Sequence, residues 1–427
     1  MKIAIVGYGV EGQANYRYYS KDASHKITIF DHNSELVIPE GVQAVLGPDA
    51  FEKLADYDLV LRSPAIPPSN LQTSGKVWSG TNEFFAKCPA DIIGVTGSKG
   101  KGTTSSLIAS ILGAAGRKVW LVGNIGLPAL DIIDQVLPDD IVVYELSSFQ
   151  LWDIEKSPKT AVVLFIEPDH LNVHKDMAEY VAAKANITKF QAVGDLLIFN
   201  TQNEFSSEIG ASSVARKLGF ATQSTTHIKD NNFYYGEQKM CSVHVLQIIG
   251  DHNITNAIAA IDAAWQYTQD LVAIEQGLHA FRGLPHRLAF VRRVGDIDYY
   301  DDSIATTASS TVAALQSFSQ RVVLILGGSD KGNDYLPLLK QIIISGGLRA
   351  IVTIGTNGAQ IVGLLDDHSL ALQHHVGSKD MKEIVAVAAS IAQPGDVVLL
   401  SPAAASFDMF KSYADRGDQF VSAVNNL

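Results

Sequence analysis

The run GVTGSKGKGTT, residues 94–104, concentrates more chemical capacity than any other stretch of the chain. A strand ends at Thr96, and Gly97, Ser98, Lys99, Gly100, Lys101 and Gly102 form a turn. Thr103 and Thr104 then open the helix-forming run TSSLIASILGAAG. Backbone N–H groups of such a loop, with the helix N-terminus behind them, cradle phosphate, and Lys101 is placed to reach the outer phosphates. The common phosphate loop is spelled G-x-x-x-x-G-K-[ST]. Here Gly102 stands where the hydroxyl residue is expected, and Thr103 follows it. A solvated glycine turn is a poor alternative, given a strand before, a helix after and two lysines within. A second glycine device, IVGYGVEG at 5–12, spells G-x-G-x-x-G, and Asp31 ends the next strand. Taken singly, that fingerprint suggests a dinucleotide-binding fold and carries little weight.

Other reactive side chains follow apolar runs. Glu145 closes IVVYEL (141–146), at the strand end where α/β folds place ligands. A carboxylate there, beside a phosphate loop, is a natural Mg²⁺ ligand. LFIEPDHLNVH (164–174) sets Asp169 and His170 just past another strand. A lone histidine is more often structural than ligating, so His170 draws its interest from that position. EYVAAKANI (179–187) puts Lys184 in an apolar helix, where the plain expectation is a lysine with its head in water. In GDHNITNA (250–257), Asn253 and Asn256 are three apart and share a helix face.

Positioning these groups requires a framework of buried strands. Apolar runs at 2–7, 26–30, 91–97, 141–146, 161–166, 195–200, 321–328, 350–355 and 396–402 alternate with segments of helical period. That pattern predicts doubly wound parallel sheets. Three of the strands run into small-residue turns at Gly7, Gly97 and Gly327, so the fold class expected is α/β with three domains. These are a Rossmann-like N-terminal domain (1–90), a central P-loop ATPase domain (91–284) and a Rossmann-like C-terminal domain (285–427). Residues 201–248 are less regular and predict a small antiparallel excursion.

The chain has 427 residues, too many for one core, with 47% hydrophobic and 18% charged residues. A formal net charge of -12 argues against non-specific nucleic-acid binding, which needs clustered cations, but not against a local phosphate cradle. Two cysteines, Cys88 and Cys241, make no disulfide framework and fit a reducing compartment. No signal peptide is expected from MKIAIVGYG, nor any membrane span, so a cytoplasmic location follows.

Taken in order, these motifs resemble the Mur ligase family along essentially the whole chain. The loop resembles the T-G-x-x-G-K-x-[ST] of Mur ligases and folylpolyglutamate synthetases. The run Glu145-Leu146-Ser147-Ser148-Phe149-Gln150-Leu151 matches the muramoyl-alanine–glutamate ligases residue for residue. The resemblance implies an ATP- and Mg²⁺-dependent ligase. It would add D-glutamate to UDP-N-acetylmuramoyl-L-alanine through an acyl phosphate, in peptidoglycan precursor synthesis. It also implies that Glu145, Thr103, His170 and a carbamylated Lys184 hold metal, with Lys101 on the γ-phosphate. Asn256 would then meet the base, with Arg287 and Asp302 also on ATP. Gly9, Val10, Glu11, Asp31 and Asn124 would bind the uridine diphosphate, near SPAI (63–66) and TNEFF (81–85). From YDDSIATT (300–307), LGGSDKG (326–332) and LSPAAASFDMFKSYADRG (400–417), it implies Thr306, Lys331, Ser406 and Tyr413 on the glutamate. A monomer is expected.

One departure concerns the acceptor. The family often reads D-S-K-A-T-N, whereas this chain has Ile304 and Thr307 at the lysine and asparagine positions. An L-glutamate-adding variant therefore stays open. A folylpolyglutamate synthetase lacks the separate N-terminal glycine-loop domain and the ELSSFQL run. An NAD(P)-binding oxidoreductase leaves the loop at 97–104 without a role. A non-catalytic nucleotide sensor would have lost Glu145, His170 and Lys184, which are all present.

Overall fold

Parallel strands buried on both faces account for most of the framework in the computed structural model. It describes residues 1–329, 335–345, 347–367, 373–376 and 380–427. Strands β1 (Lys2–Val6), β2 (Lys26–Asp31), β3 (Gln43–Leu46), β4 (Leu59–Arg62) and β5 (Lys76–Ser79) form a parallel sheet in the order β3-β2-β1-β4-β5. β1 sits at the point where the strand order reverses, and Gly7 leaves its C-terminal end, the usual position of a ligand crevice. Apolar clusters pack on either face, one around Ile3, Ile5 and Leu61 and another around Ala4, Val6 and Val60.

A second parallel sheet contains β6 (Asp91–Thr96), β7 (Val119–Gly123), β8 (Ile141–Glu145), β9 (Thr160–Val163), β10 (Leu196–Asn200) and β11 (Arg216–Phe220). Their order, β11-β10-β9-β6-β8-β7, places the ends of β6, β8 and β9 side by side. Every residue of β8 and β9 is buried, which explains why both read as unbroken apolar runs. β12 (Thr226–Lys229), β13 (Asn232–Tyr235) and β14 (Gln238–Ser242) make a small antiparallel sheet inside the irregular segment.

The last sheet comprises β15 (Ala289–Val294), β16 (Ile297–Asp301), β17 (Val322–Gly327), β18 (Leu348–Ile354), β19 (Gln373–Val376) and β20 (Val397–Leu400). It runs β15-β16-β20-β17-β18-β19, parallel except for the β15–β16 hairpin. Of the described residues, Met1–Val245 with His252–Ala280 form one compact unit, and Leu246–Asp251 with Phe281–Leu427 form another. The first unit therefore holds two of the three large sheets. Among the described residues, no helix is long and apolar enough to cross a membrane.

Candidate active site

The phosphate loop leaves β6 and enters the helix Lys101–Ala114, whose N-cap is Gly100 at φ 85°. Only glycine adopts that angle without strain, and a Cβ there would lie 2.2 Å from Asn256 Oδ1. Asn256, buried on the helix Asp251–Trp265, thus packs directly on the loop and also donates to Asn253 Oδ1 at 3.1 Å. The loop is tied to its neighbours by backbone bonds. Leu164 N donates to Thr96 O, Ser98 N to Phe165 O, and Leu146 N to Val95 O. Lys101 folds back onto the loop, its Nζ donating to Gly97 O at 3.0 Å and Ser98 O at 2.9 Å. Lys99 points outward to Glu167 at 2.6 Å. Thr103 and Thr104 are buried in the first helical turn.

Glu145, the last residue of β8, is 5% exposed. Lys184 is 1% exposed in the helix Met177–Ala185, with Nζ donating to Gly97 O at 2.8 Å and lying 4.5 Å from the Tyr180 ring centre. This lysine does not snorkel. Burial, then the charge of Lys101, pulls its pKa well below the ordinary lysine value, against the opposite pull of Asp169 and Glu145. His170 is half-exposed, at φ 55°, with Nε2 3.5 Å from Asp169 and its ring against Phe149. His174, four residues on, is the buried histidine of the pair; it meets Ser148 Oγ at 2.9 Å and stacks on Phe149.

No three His, Cys, Asp or Glu side chains among the described residues are grouped as a metal site. The oxygen donors at hand nonetheless suit Mg²⁺, which keeps several waters and needs only one or two carboxylates. Glu145 would supply one, the Thr103 hydroxyl lies in the first turn of the helix that follows the loop, and a carbamate on Lys184 would supply another.

A separate open cavity of ≈ 510 Å³ gathers all five residues expected to bind the uridine diphosphate: Gly9, Val10, Glu11, Asp31 and Asn124. Ser63, Pro64, Ala65 and Ile66 line it too, as do Ser147 and Phe149. The Asp31 carboxylate accepts from Tyr8 N and Asn33 N, so it shapes the glycine turn as well as facing the cavity. Gly12 permits the tight turn, since a Cβ there would sit 2.0 Å from Gly7 O. Glu11 accepts from Gln150 Nε2 at 2.7 Å, and burial raises its carboxyl to about 7. Gln150 also completes a capping box with Ser147, so the ELSSFQL run both caps its own short helix and reaches the N-terminal loop.

The sequence reading missed several groups here. His32 stacks on Phe51 in the cavity wall at 3.9 Å between ring centres. Tyr180 shares a hydrogen bond with Ser98 Oγ at 2.9 Å, and its spacing of four from Lys184 was the available signal. Arg62 is wholly buried at the end of β4 and gave no signal beyond a charge closing an apolar strand.

In the second unit, Asp302 is buried and its carboxyl is raised to about 7, chiefly by burial. It accepts from Leu288 N and Ser401 Oγ and so braces the segment that carries Arg287, itself exposed. Arg416 collects the segments expected to bind the acceptor. Its guanidinium donates to Ser303 O and Oγ and to Ala404 O, while Ser303 Oγ donates to Tyr413 O at 2.7 Å. Ser406 is buried just beyond Ala404, whereas Thr306 and Tyr413 are exposed. Ile304 follows Ser303 on the same segment, its N donating to His286 O at 3.0 Å. Lys331 lies outside the described residues.

Parallel α/β sheets carrying a phosphate loop, with a buried carboxylate at the end of β8 and a buried helix lysine donating to the loop, suit a nucleotide-dependent ligase better than a dehydrogenase. Residues 95–264 match the Mur ligase middle domain, and residues 286–404 match the Mur ligase glutamate ligase domain. The UDP-N-acetylmuramoylalanine–D-glutamate ligase of Clostridium tetani is 34% identical over all of this chain and 97% of that protein. Among solved structures, the UDP-N-acetylmuramate-alanine ligase MurC of Thermotoga maritima aligns with TM-score 0.61 at 19% identity, over 100% of this chain and 99% of that one. The MurF ligase of T. maritima in complex with ADP aligns with TM-score 0.58 at 15% identity, over 100% and 94%. The chain belongs to the Mur ligase family. It is an ATP-dependent ligase, which sets aside the oxidoreductase reading of the first glycine loop.

Proposed function

We propose that the protein joins D-glutamate to UDP-N-acetylmuramoyl-L-alanine with cleavage of ATP to ADP and phosphate, in peptidoglycan precursor synthesis. One observation supports this above the rest: a single compact unit holds two anion-binding glycine loops with separate surroundings. One has Lys101, Glu145 and Lys184 about it; the other opens on a cavity large enough for a nucleotide. In this reading residues 1–90 bind the sugar nucleotide, 91–284 bind ATP and 285–427 bind the amino acid. The protein would act as a cytoplasmic monomer.

The chemistry follows from the residues. The N–H groups of 97–104 and Lys101 hold the β- and γ-phosphates, so that negative charge on the transferred group is met by fixed donors. The alanyl carboxylate attacks phosphorus, ADP leaves, and the amine of glutamate then displaces phosphate through a tetrahedral intermediate. Glu145, Thr103, His170 and carbamylated Lys184 would hold Mg²⁺, which neutralises charge on the phosphoryl oxygens. Asn256 contacts the base, while Arg287 and Asp302 belong to the ATP site. Thr306, Lys331, Ser406 and Tyr413 frame the glutamate.

Comparing kcat/KM for the two glutamate enantiomers, by phosphate release with UDP-N-acetylmuramoyl-L-alanine, tests the acceptor. D-glutamate should be preferred. Replacing a lysine by Ile304 forgoes a charge-assisted contact of about 1.5–3 kcal/mol, so kcat/KM should rise roughly tenfold or more in Ile304→Lys. A preference for L-glutamate would overturn the enantiomer, and inactivity with both would overturn the ligase reaction.

Binding at the first loop has its own signature. Burial raises the Glu11 carboxyl to about 7, so it is largely neutral below that pH and anionic above it. A diphosphate favours the neutral form. Affinity for UDP should therefore fall as pH rises through 7, and Glu11→Gln should flatten that dependence. Calorimetry with UDP and with NADH checks both points: tight NADH binding without UDP binding would exclude a uridine-nucleotide cavity.

A further inference from the structure

Arg62 closes β4 in the run LVLR, and its side chain is completely buried. Burying a guanidinium is tolerable only where its donors are met, and here they are met by two segments. Nη1 donates to the carbonyls of Ser63 (3.3 Å), Pro64 (3.0 Å) and Ile66 (3.0 Å). Nη2 donates to Phe149 O (2.9 Å) and to Asp153 Oδ1 (2.6 Å), and Nε donates to Asp153 Oδ2 (2.9 Å). Each segment lines the cavity at the first glycine loop, the former through Ser63–Ile66 and the latter through Ser147 and Phe149. Ser63 extends the linkage by donating from Oγ to Gly7 O at 2.6 Å. Asp153 is itself held, since its carbonyl accepts from Asn82 Nδ2 at 2.8 Å. One side chain therefore fixes the spacing of two walls that are far apart in the chain. None of its hydrogen bonds reaches the loop at 97–104.

We propose that Arg62, paired with Asp153, is a positioning residue that sets the shape of this cavity and thereby its affinity for the uridine diphosphate end of the sugar nucleotide. The inference rests on the reading of the cavity as the sugar-nucleotide site. A guanidinium can grip a carboxylate in two places and still donate to carbonyls behind it, which an ammonium cannot do. Arg62→Lys keeps the charge and most of the volume but must abandon part of the linkage, so the two walls lose their fixed spacing.

The experiment is steady-state kinetics of Arg62→Lys and Asp153→Asn beside the natural enzyme, with calorimetric titration of UDP and ADP and thermal unfolding of each. Misplacement by about 1 Å can cost up to two orders of magnitude, so KM for the sugar nucleotide and Kd for UDP should rise about tenfold in Arg62→Lys. Values of kcat, KM for ATP and Kd for ADP should stay close to those of the natural enzyme. Asp153→Asn should act in the same direction and more weakly, because it keeps one side-chain oxygen for the guanidinium and the main-chain carbonyl that accepts from Asn82 Nδ2. It carries the comparison alone if Arg62→Lys does not fold. An unchanged KM for the sugar nucleotide overturns the proposal. So does a parallel weakening of UDP and ADP with a large fall in Tm, which marks a purely structural clamp. If the natural enzyme itself fails to bind UDP, the reading of the cavity falls first; normal UDP binding in both variants removes only the role of Arg62.

Discussion

Lys101→Ala should lose phosphate release by about 100-fold or more while remaining folded. Removing one preorganised donor aimed at transition-state charge costs roughly 2.7–4 kcal/mol, and each 1.4 kcal/mol is a factor of ten. The effect on the fold should be much smaller. Lys101 Nζ donates to the carbonyls of Gly97 and Ser98 at a partly exposed site, and a net hydrogen bond there contributes about 0.5–1.5 kcal/mol. The two magnitudes separate the roles. Thermal unfolding should shift by a few degrees, whereas kcat should collapse. Lys99→Ala is the internal control: its partner is Glu167 at 2.6 Å and its side chain is 63% exposed, so activity should change far less. Near-normal phosphate release by Lys101→Ala would remove this loop from the reaction.

The glycine loop was legible because backbone geometry dictates composition there. Gly100 at φ 85°, with Asn256 against it, admits no side chain, and a lysine inside such a loop has few structural uses. Parallel strands were legible for a related reason: β8 and β9 are buried along their whole length, so apart from Thr160 at the start of β9 and Glu145 at the end of β8 their residues are apolar or aromatic. The hairpin β15–β16 was not foreseen. Its strands are half-exposed and carry Arg292, Arg293 and Asp298, so the apolar signal is diluted. β19, spelled QHHV, was equally silent.

Site residues divide along the same line. Lys184 was noticed through its apolar surroundings, but the plain expectation of a solvated head was wrong in physical detail, since the amine is buried on Gly97 O. Arg62 and Asp153 could not be paired from sequence, because 91 positions separate them and neither belongs to a recognisable motif. Long-range pairing of this kind is a product of chain topology, which local spacing does not encode. The same holds for Glu11 and Gln150: each lies in a motif that was read, yet their hydrogen bond joins motifs 139 residues apart.

Lys184→Ala should be nearly inactive, and a short carboxylate such as acetate should restore part of the activity. The buried amine is the starting point. Its depressed pKa, set first by burial and then by Lys101, favours the neutral form, which is the form that adds carbon dioxide. The addition is R–NH₂ + CO₂ → R–NH–COO⁻ + H⁺, so an amine that Lys101 keeps from ionising becomes an anion that attracts Lys101 and offers oxygen to Mg²⁺. An unmodified amine would offer neither. The two states predict opposite consequences of truncation. If the amine stays unmodified, alanine removes an unfavourable neighbour of Lys101, and added carboxylate has nothing to replace. If it is carbamylated, alanine deletes an anion beside Glu145, and acetate can enter the space that the side chain vacates. Chloride at the same ionic strength controls for screening. A carbonyl signal from ¹³C-labelled bicarbonate in the natural enzyme, absent from Lys184→Ala, gives a readout independent of turnover. An active Lys184→Ala enzyme, or inactivity that acetate leaves untouched together with no labelled signal in the natural enzyme, would rule out the carbamate.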